Sequence, residues 1–354
     1  MYHFHQAQDR PDDYRTAEGL QSFLNRTVQR PDVISDAEYD GLNEEARASY
    51  NRRRVTYASG GITIATPSYH SAVRGLHKAF AENSGHPGQC GVLVSGDSHL
   101  GKTTILKALM KDVYRDYGKQ FPQFERHDRI PVVYVEVPPK SSSKTLMQTF
   151  ADFFGLTVTR SENERDLRIR VLERLHAHDT QLVAVDELHR LMRKTTNNEE
   201  SLNALKSLHD LAPATFLYAG INVSSQLSGE NGQQLAARQE IVPMRRFNWS
   251  NQDHRKDWNA LIRMFESALP LRHHQPGMLD GHRQYLWERT AGSLGSLSRL
   301  LFRASLDAFE DAESPEIITR ERLDAQRIDF AAESLYAHRN SKPAQLPALL
   351  KALH

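Results

Sequence analysis

Gly96-Asp97-Ser98-His99-Leu100-Gly101-Lys102-Thr103-Thr104 runs between the apolar segment Gly91-Val92-Leu93-Val94 and the helix-forming Ile105-Leu106-Lys107-Ala108-Leu109-Met110. Buried strand, glycine-rich loop, then helix is the context in which G-x-x-x-x-G-K-S/T means a phosphate cradle. Successive backbone N–H groups and the helix N-terminus point at anionic oxygens. Lys102 adds a positive charge, and the Thr103 hydroxyl can hold Mg²⁺. A nucleoside triphosphate on the residues from Gly96 to Thr104 is the first expectation.

The chain has 354 residues, room for two domains or for one α/β domain with an appended lid. Its net charge of +1 advertises no global field, so any DNA contact must come from a local patch. A single cysteine, Cys90, excludes a disulfide framework and fits a reducing cytoplasm. No apolar stretch approaches a membrane span, and Met1-Tyr2-His3-Phe4-His5 lacks a signal pattern. The histidines are scattered, apart from His273-His274, without metal-ligand spacing, and read as surface or core residues.

Strands are expected at 90–95, 131–137, 181–186 and 214–219, with a weaker fifth at 239–244. Near-continuous apolar character in the second and third suits strands buried on both faces, hence a parallel sheet. Helices at 103–117, 144–154, 162–178 and 199–211 supply the crossovers. From 251 the pattern is wholly helical, at 251–268, 279–290, 296–312 and 319–333. The expected organisation is a partly helical N-terminal extension (1–60), an α/β core (61–250), a helical lid (251–335) and a loosely attached tail (336–354). Within the extension, 36–50 reads as helix, followed by Arg52-Arg53-Arg54, which is either a solvated helix end or a phosphate or partner contact.

Leu182-Val183-Ala184-Val185-Asp186-Glu187 is an apolar strand ending in two acids. Phosphoryl transfer needs a metal on the phosphate oxygens and a group that orients the attacking water. Asp186 would fix Mg²⁺ beside Thr103, and Glu187 would polarise the water. The second acid argues against simple GTPases and nucleoside kinases. Asn222 (less readily Thr215) stands after the fourth strand, either to sense the γ-phosphate or as a turn asparagine. Arg238 is placed where a neighbouring subunit's arginine finger would be presented, with Arg245 and Arg246 as competitors and a surface charge as the alternative. Arg299, in Gly292-Ser293-Leu294-Gly295-Ser296-Leu297-Ser298-Arg299, either reaches the nucleotide from the lid or lies on the lid surface.

These residues together resemble the AAA+ (ASCE) class of P-loop ATPases, and within it the TniB/TnsC-type transposition ATPases, particularly TniB-like proteins of actinobacterial type. The flanking patterns carry the likeness: Arg52-Arg53-Arg54-Val55-Thr56-Tyr57 with Ile64-Ala65-Thr66-Pro67, Val135-Glu136-Val137-Pro138-Pro139, Asp186-Glu187-Leu188-His189-Arg190-Leu191, and Pro213-Ala214-Thr215-Phe216-Leu217-Tyr218-Ala219-Gly220-Ile221. Arg289-Thr290-Ala291-Gly292-Ser293-Leu294-Gly295-Ser296-Leu297 and Ile317-Ile318-Thr319 also fit, so the resemblance runs from about 35 to 333. Two departures stand out. The family usually has glycine where this chain has His99, and Gln239-Glu240 replaces an Arg-Phe pair after Arg238.

The resemblance implies a parallel five-stranded sheet flanked by helices, with a C-terminal helical lid and ATP and Mg²⁺ as cofactors. It implies a homo-oligomer, ring or helical filament, on duplex DNA. It further implies recruitment of a DDE transposase (TniA/TnsB-like) with a TniQ-like targeting partner, hydrolysis resetting the assembly. One local hint of DNA contact is Pro139-Lys140-Ser141-Ser142-Ser143-Lys144-Thr145, where Lys140, Ser141 and Lys144 suit phosphate oxygens. The same residues also read as a helix cap and first turn, with Ser142 or Ser143 as cap. Competing functions are a helicase loader of the IstB/DnaC sort and a signalling or defence ATPase. Residues 1–60 show no helicase-binding module, and neither sensor repeats nor an effector domain are visible.

Overall fold

Short apolar runs bounded by turn residues become strands β1 (Gly91–Gly96), β2 (Val132–Glu136), β3 (Leu182–Asp186), β4 (Thr215–Ile221) and β5 (Gln239–Met244). The computed structural model describes residues 12–84, 90–192, 195–223, 237–311 and 313–340. Among these the strands form one five-stranded sheet in the order β2-β3-β4-β1-β5, every pairing parallel. All residues of β1 and β3 are buried, as strands covered on both faces must be. β5 is an edge strand with Ile241 exposed, and it carries Pro243, whose missing N–H only an edge tolerates. Its weak sequence signal has that origin.

Parallel pairing requires crossovers, and helices supply them. α4 (Pro67–Asn83) precedes β1, with Thr66 as cap and Pro67 at the first position, where its missing N–H costs nothing. α5 (Lys102–Gln120) follows β1, α6 (Ser143–Phe153) and α7 (Glu164–Ala177) join β2 to β3, and α8 (Thr196–Leu211) joins β3 to β4. α6 shows why these segments dock. Leu146, Met147, Phe150 and Ala151 recur at helical spacing and are fully buried in the core of this unit.

The chain divides into two units, the first comprising the described residues up to Thr27 with Ala65–Arg245, the second Val28–Ile64 with those from Arg246 onward. The expected extension 1–60 is therefore shared between them. α1 (Ala17–Asn25) buries Leu20 and Leu24 in the core of the α/β unit, and Asn25 bonds the Tyr114 hydroxyl there at 3.1 Å.

In the second unit, α2 (Asp36–Asp40) and α3 (Glu44–Gly60) replace the single helix expected at 36–50, because Asn43 starts a new helix by accepting from the Ala46 amide. They join α9 (Gln252–Ala268), α10 (Arg283–Thr290), α11 (Leu294–Glu310), α12 (Arg320–Ala325) and α13 (Phe330–Asn340). Trp258, Ile262, Leu286, Leu297 and Leu300 form their core. The last two helices divide the one expected at 319–333.

The arginine run receives a correction here. Arg54 is 0% exposed and pairs with Glu316 at 2.5 Å, its guanidinium over the Phe309 and Tyr50 rings. It is an internal brace, while Arg52 and Arg53 are exposed. Burial by itself would raise the Glu316 pKa, but Arg54 and Arg272 hold it below the ordinary value. His274 is likewise internal, paired with buried Glu266 at 3.1 Å. No described helix is long and apolar enough to cross a membrane.

Candidate active site

β1 delivers the chain at the C-terminal edge of the sheet, and α5 opens at Lys102 with Gly101 as its N-cap residue. Gly101 has φ 89°, a left-handed value that a Cβ would strain. No side chain caps α5, so its first amides remain available to an anion in the loop. Asp97, Ser98, His99 and Thr104 are exposed, and Leu100 is buried in the core beneath. The buried Lys102 Nζ donates to the carbonyls of Gly96 (2.9 Å) and Asp97 (2.6 Å). Burial lowers its pKa, and the carboxylates of Asp186, Glu187 and Asp97 offset part of that. An ammonium so placed is a ready donor for phosphate oxygens, which it holds more strongly than neutral carbonyls.

The sheet brings the second half of the site to the first. Thr103 Oγ1 donates to Asp186 Oδ2 at 2.7 Å, and Asp186 Oδ1 accepts from the Glu187 amide at 2.8 Å. Asp186 is 3% exposed. A hydroxyl and a carboxylate held together are hard oxygen donors, the set Mg²⁺ takes when substrate phosphates and water complete its shell. The residues therefore fit the metal. Among the described residues no cluster of three or more His, Cys, Asp or Glu could hold one unaided. Glu187, at φ 60°, heads the turn Leu188–Leu191, its carboxylate within 3.5 Å of His189 Nδ1 and Arg190 Nη2.

Since β4 lies between β1 and β3, its end falls between the loop and the acids. There Asn222 Nδ2 donates to Asp97 Oδ1 at 2.8 Å, and its amide to the Gly96 carbonyl at 3.3 Å. Its φ of 46° is that of a turn asparagine, the second of the two readings of its sequence position. Thr215 is buried at the opposite end of β4. Gly220 is required for contact: a Cβ there would stand 2.5 Å from Val223 and 2.9 Å from the His189 amide.

Other candidates lie apart. Gly91 pairs with Gln239 and Gly96 with Met244, so Arg238 sits at the sheet end opposite its own phosphate loop. By strand rise the separation is about 17 Å. Its guanidinium pairs with Asp210 at 2.7 Å, both half-exposed. Arg299 is exposed on α11 of the second unit. In the loop after β2, Lys140 is exposed at φ 54°, and Lys144 Nζ donates to the Arg160 carbonyl at 3.3 Å. Ser142 caps α6, accepting from the Thr145 amide. Ser141 departs from expectation: it is 1% exposed and its carbonyl accepts from Ser201, so its hydroxyl does not face a DNA backbone.

Sequence reasoning missed Arg190. Its Nη1 donates to Glu136 Oε1 at 2.8 Å and to the Val137 carbonyl at 2.5 Å, while Nη2 faces Glu187. One guanidinium thus ties the ends of β2 and β3 together. Tyr134 was missed too. Its buried hydroxyl lies 3.5 Å from Asp186, and burial, then Asp186 and Glu136, pushes its pKa well up, so it stays a neutral donor. Neither has a sequence signal beyond its place beside a motif.

Residues 54–249 match the family model described as Bacterial TniB protein. No curated protein matches the chain. Among solved structures it is similar to the Aeropyrum pernix ORC2 protein in its ADPNP-ADP complexes, at 13% identity over 77% of this chain and 68% of that one, with a TM-score of 0.53. The A. pernix ORC1 protein in complex with DNA gives 12% identity, 77% and 65% coverage and a TM-score of 0.54. The ADP form of ORC2 gives 16%, 80%, 72% and 0.54. At these identities the shared property is the AAA+ fold.

Proposed function

The chain belongs to the TniB family, and from that premise we propose that it binds and hydrolyses ATP with Mg²⁺ and assembles on duplex DNA. In this reading the assembly recruits a DDE-type transposase (TniA/TnsB-like), with a TniQ-like partner, to the insertion site, in the cytoplasm. The observation that carries the ATPase reading is the cluster of Lys102, Thr103 and Asp186 around the loop, with Glu187 one residue further on. Lys102 and the α5 amides hold the phosphates. Thr103 and Asp186 would hold the metal, which would supply positive charge against the phosphoryl oxygens. Glu187 takes the proton of the attacking water. Asn222 reports the γ-phosphate from beside Asp97, and Arg238 serves the site of a neighbouring copy.

The related folds support the ligand classes: the ORC2 structures are complexes of ADPNP and ADP, and that of ORC1 is a complex with DNA. Lys140, exposed in the turn after β2, is the residue there best placed to meet a phosphate, with Lys144 in the first turn of α6. Binding and turnover are tested together. Lys102→Ala should abolish ATP binding and every DNA-bound assembly. Glu187→Gln should keep ATP affinity, slow turnover by about 10²-fold or more as expected for loss of a general base, and accumulate assemblies on DNA seen by electron microscopy. Normal assemblies from the lysine variant, or undiminished turnover from the glutamate variant, would overturn the mechanism.

A further inference from the structure

The second unit contains a cavity of about 450 Å³ that the ATPase site does not use. One wall is α9, where Gln252, Arg255, Lys256 and Asn259 stand at i, i+3, i+4 and i+7 and form one stripe. Arg283 and Gln284, at the start of α10, form the facing wall. Trp249 closes one side. A polar stripe at helical spacing is ordinarily a solvated face, but this one lines a concavity.

Charge and hydrogen bonding define what would fill it. Arg255, Lys256 and Arg283 stand against a single lining carboxylate, Asp280, which is already engaged by both Arg263 and Arg283. Arg283 Nε is shielded from solvent and has no hydrogen-bond partner among the described residues. A donor left so is one that an acceptor oxygen can satisfy. Trp249 is the one large apolar side chain of the lining; apart from Gly281 the others end in charged or amide groups. Guanidinium, ammonium and amide groups are what hold phosphodiester oxygens.

We propose that this cavity is a nucleic-acid contact, holding the phosphodiester backbone of duplex DNA through Arg255, Lys256 and Arg283. The inference rests on the DNA-binding reading above and adds a contact separate from the loop after β2. Lys256→Glu combined with Gln252→Glu alters two exposed side chains of α9, and an unchanged melting temperature checks that the unit keeps its packing. The probe is a fluorescent duplex titrated by anisotropy with Mg²⁺-ATP, between about 50 and 200 mM salt. Binding should weaken about tenfold or more, the log–log salt slope should fall by about 1 to 2, and ATP affinity should not change. Equal affinity and slope in the variant and the unaltered protein overturn the cavity contact and leave the DNA reading standing. Failure of the unaltered protein to bind duplex at low salt overturns both. If the variant loses a polyglutamate peptide but keeps duplex, the cavity belongs to an acidic partner and the proposal falls.

Discussion

Among the described residues, His99, Glu187 and Asn222 carry left-handed backbone at φ 61°, 60° and 46° at the ends of β1, β3 and β4. Each non-glycine residue in that region costs about 1–2 kcal/mol. Such strain is commonest at functional sites, where surrounding structure enforces it. At His99 the resemblance led one to expect glycine. The histidine keeps the backbone form glycine would take, with its residue exposed, so the cradle is built despite the departure. In the proposed mechanism Arg190 is a positioning residue. Its guanidinium lies 3.5 Å from the Glu187 carboxylate and bonds Glu136 at the end of β2, so it would hold the group proposed to orient water. Arg190→Ala is expected to cut turnover about tenfold through lost alignment while ATP affinity stays within about twofold. Arg190→Lys should rescue little, because a point charge cannot bridge two carboxylates and a carbonyl. Steady-state kinetics beside equilibrium nucleotide binding separates the two effects, and an unaltered turnover number would mean the backbone of Glu187 alone aims it.

The elements differ in how plainly their sequences announce them. β1 to β4 were legible because strands buried on both faces read as continuous apolar runs. β5 was faint because an edge strand is half solvated and can carry proline. Helix ends were harder: the breaks at Asn43 and between α12 and α13 depend on caps and on what each turn packs against. Arg54 is the sharpest case, since nothing in Arg52-Arg53-Arg54 says which member turns inward. Breaking a buried ion pair by removing one partner costs about 3–5 kcal/mol. Arg54→Ala should therefore lower the melting temperature of the helical unit by many degrees. Arg52→Ala and Arg53→Ala should stay within about 0.5 kcal/mol, as exposed substitutions do. Calorimetry of the three variants decides it, and equal melting curves would show that the pair is dispensable.

For the whole molecule, the decisive prediction concerns Arg238. It lies at the far end of the sheet from its own phosphate loop, so the finger role proposed for it requires the nucleotide of another copy. Its pairing with Asp210 is half-exposed, and surface pairs of that kind contribute about 1 kcal/mol or less, so the arginine is easily released. Arg238→Ala and Glu187→Gln should each be inactive alone. Mixed in equal amounts, they should regain roughly a quarter of normal turnover, since random head-to-tail pairing places an intact Glu187 beside an intact Arg238 at that frequency. An ATPase assay showing no recovery would pass the role to Arg245 or Arg246.

The phosphate loop, the Asp186-Glu187 pair and the parallel α/β core could all be read from sequence alone, because each depends on local order: an apolar run, then a turn, then a helix. Tertiary structure decided what depends on neighbours distant in the chain. It inserted β4 between β1 and β3, which carries Asn222 to the loop. It joined Arg190 to Glu136, buried Ser141, and enclosed Arg54 with Glu316. Strand order, burial and ion pairing arise from which surfaces exclude water together, and residue spacing along one segment does not encode that choice.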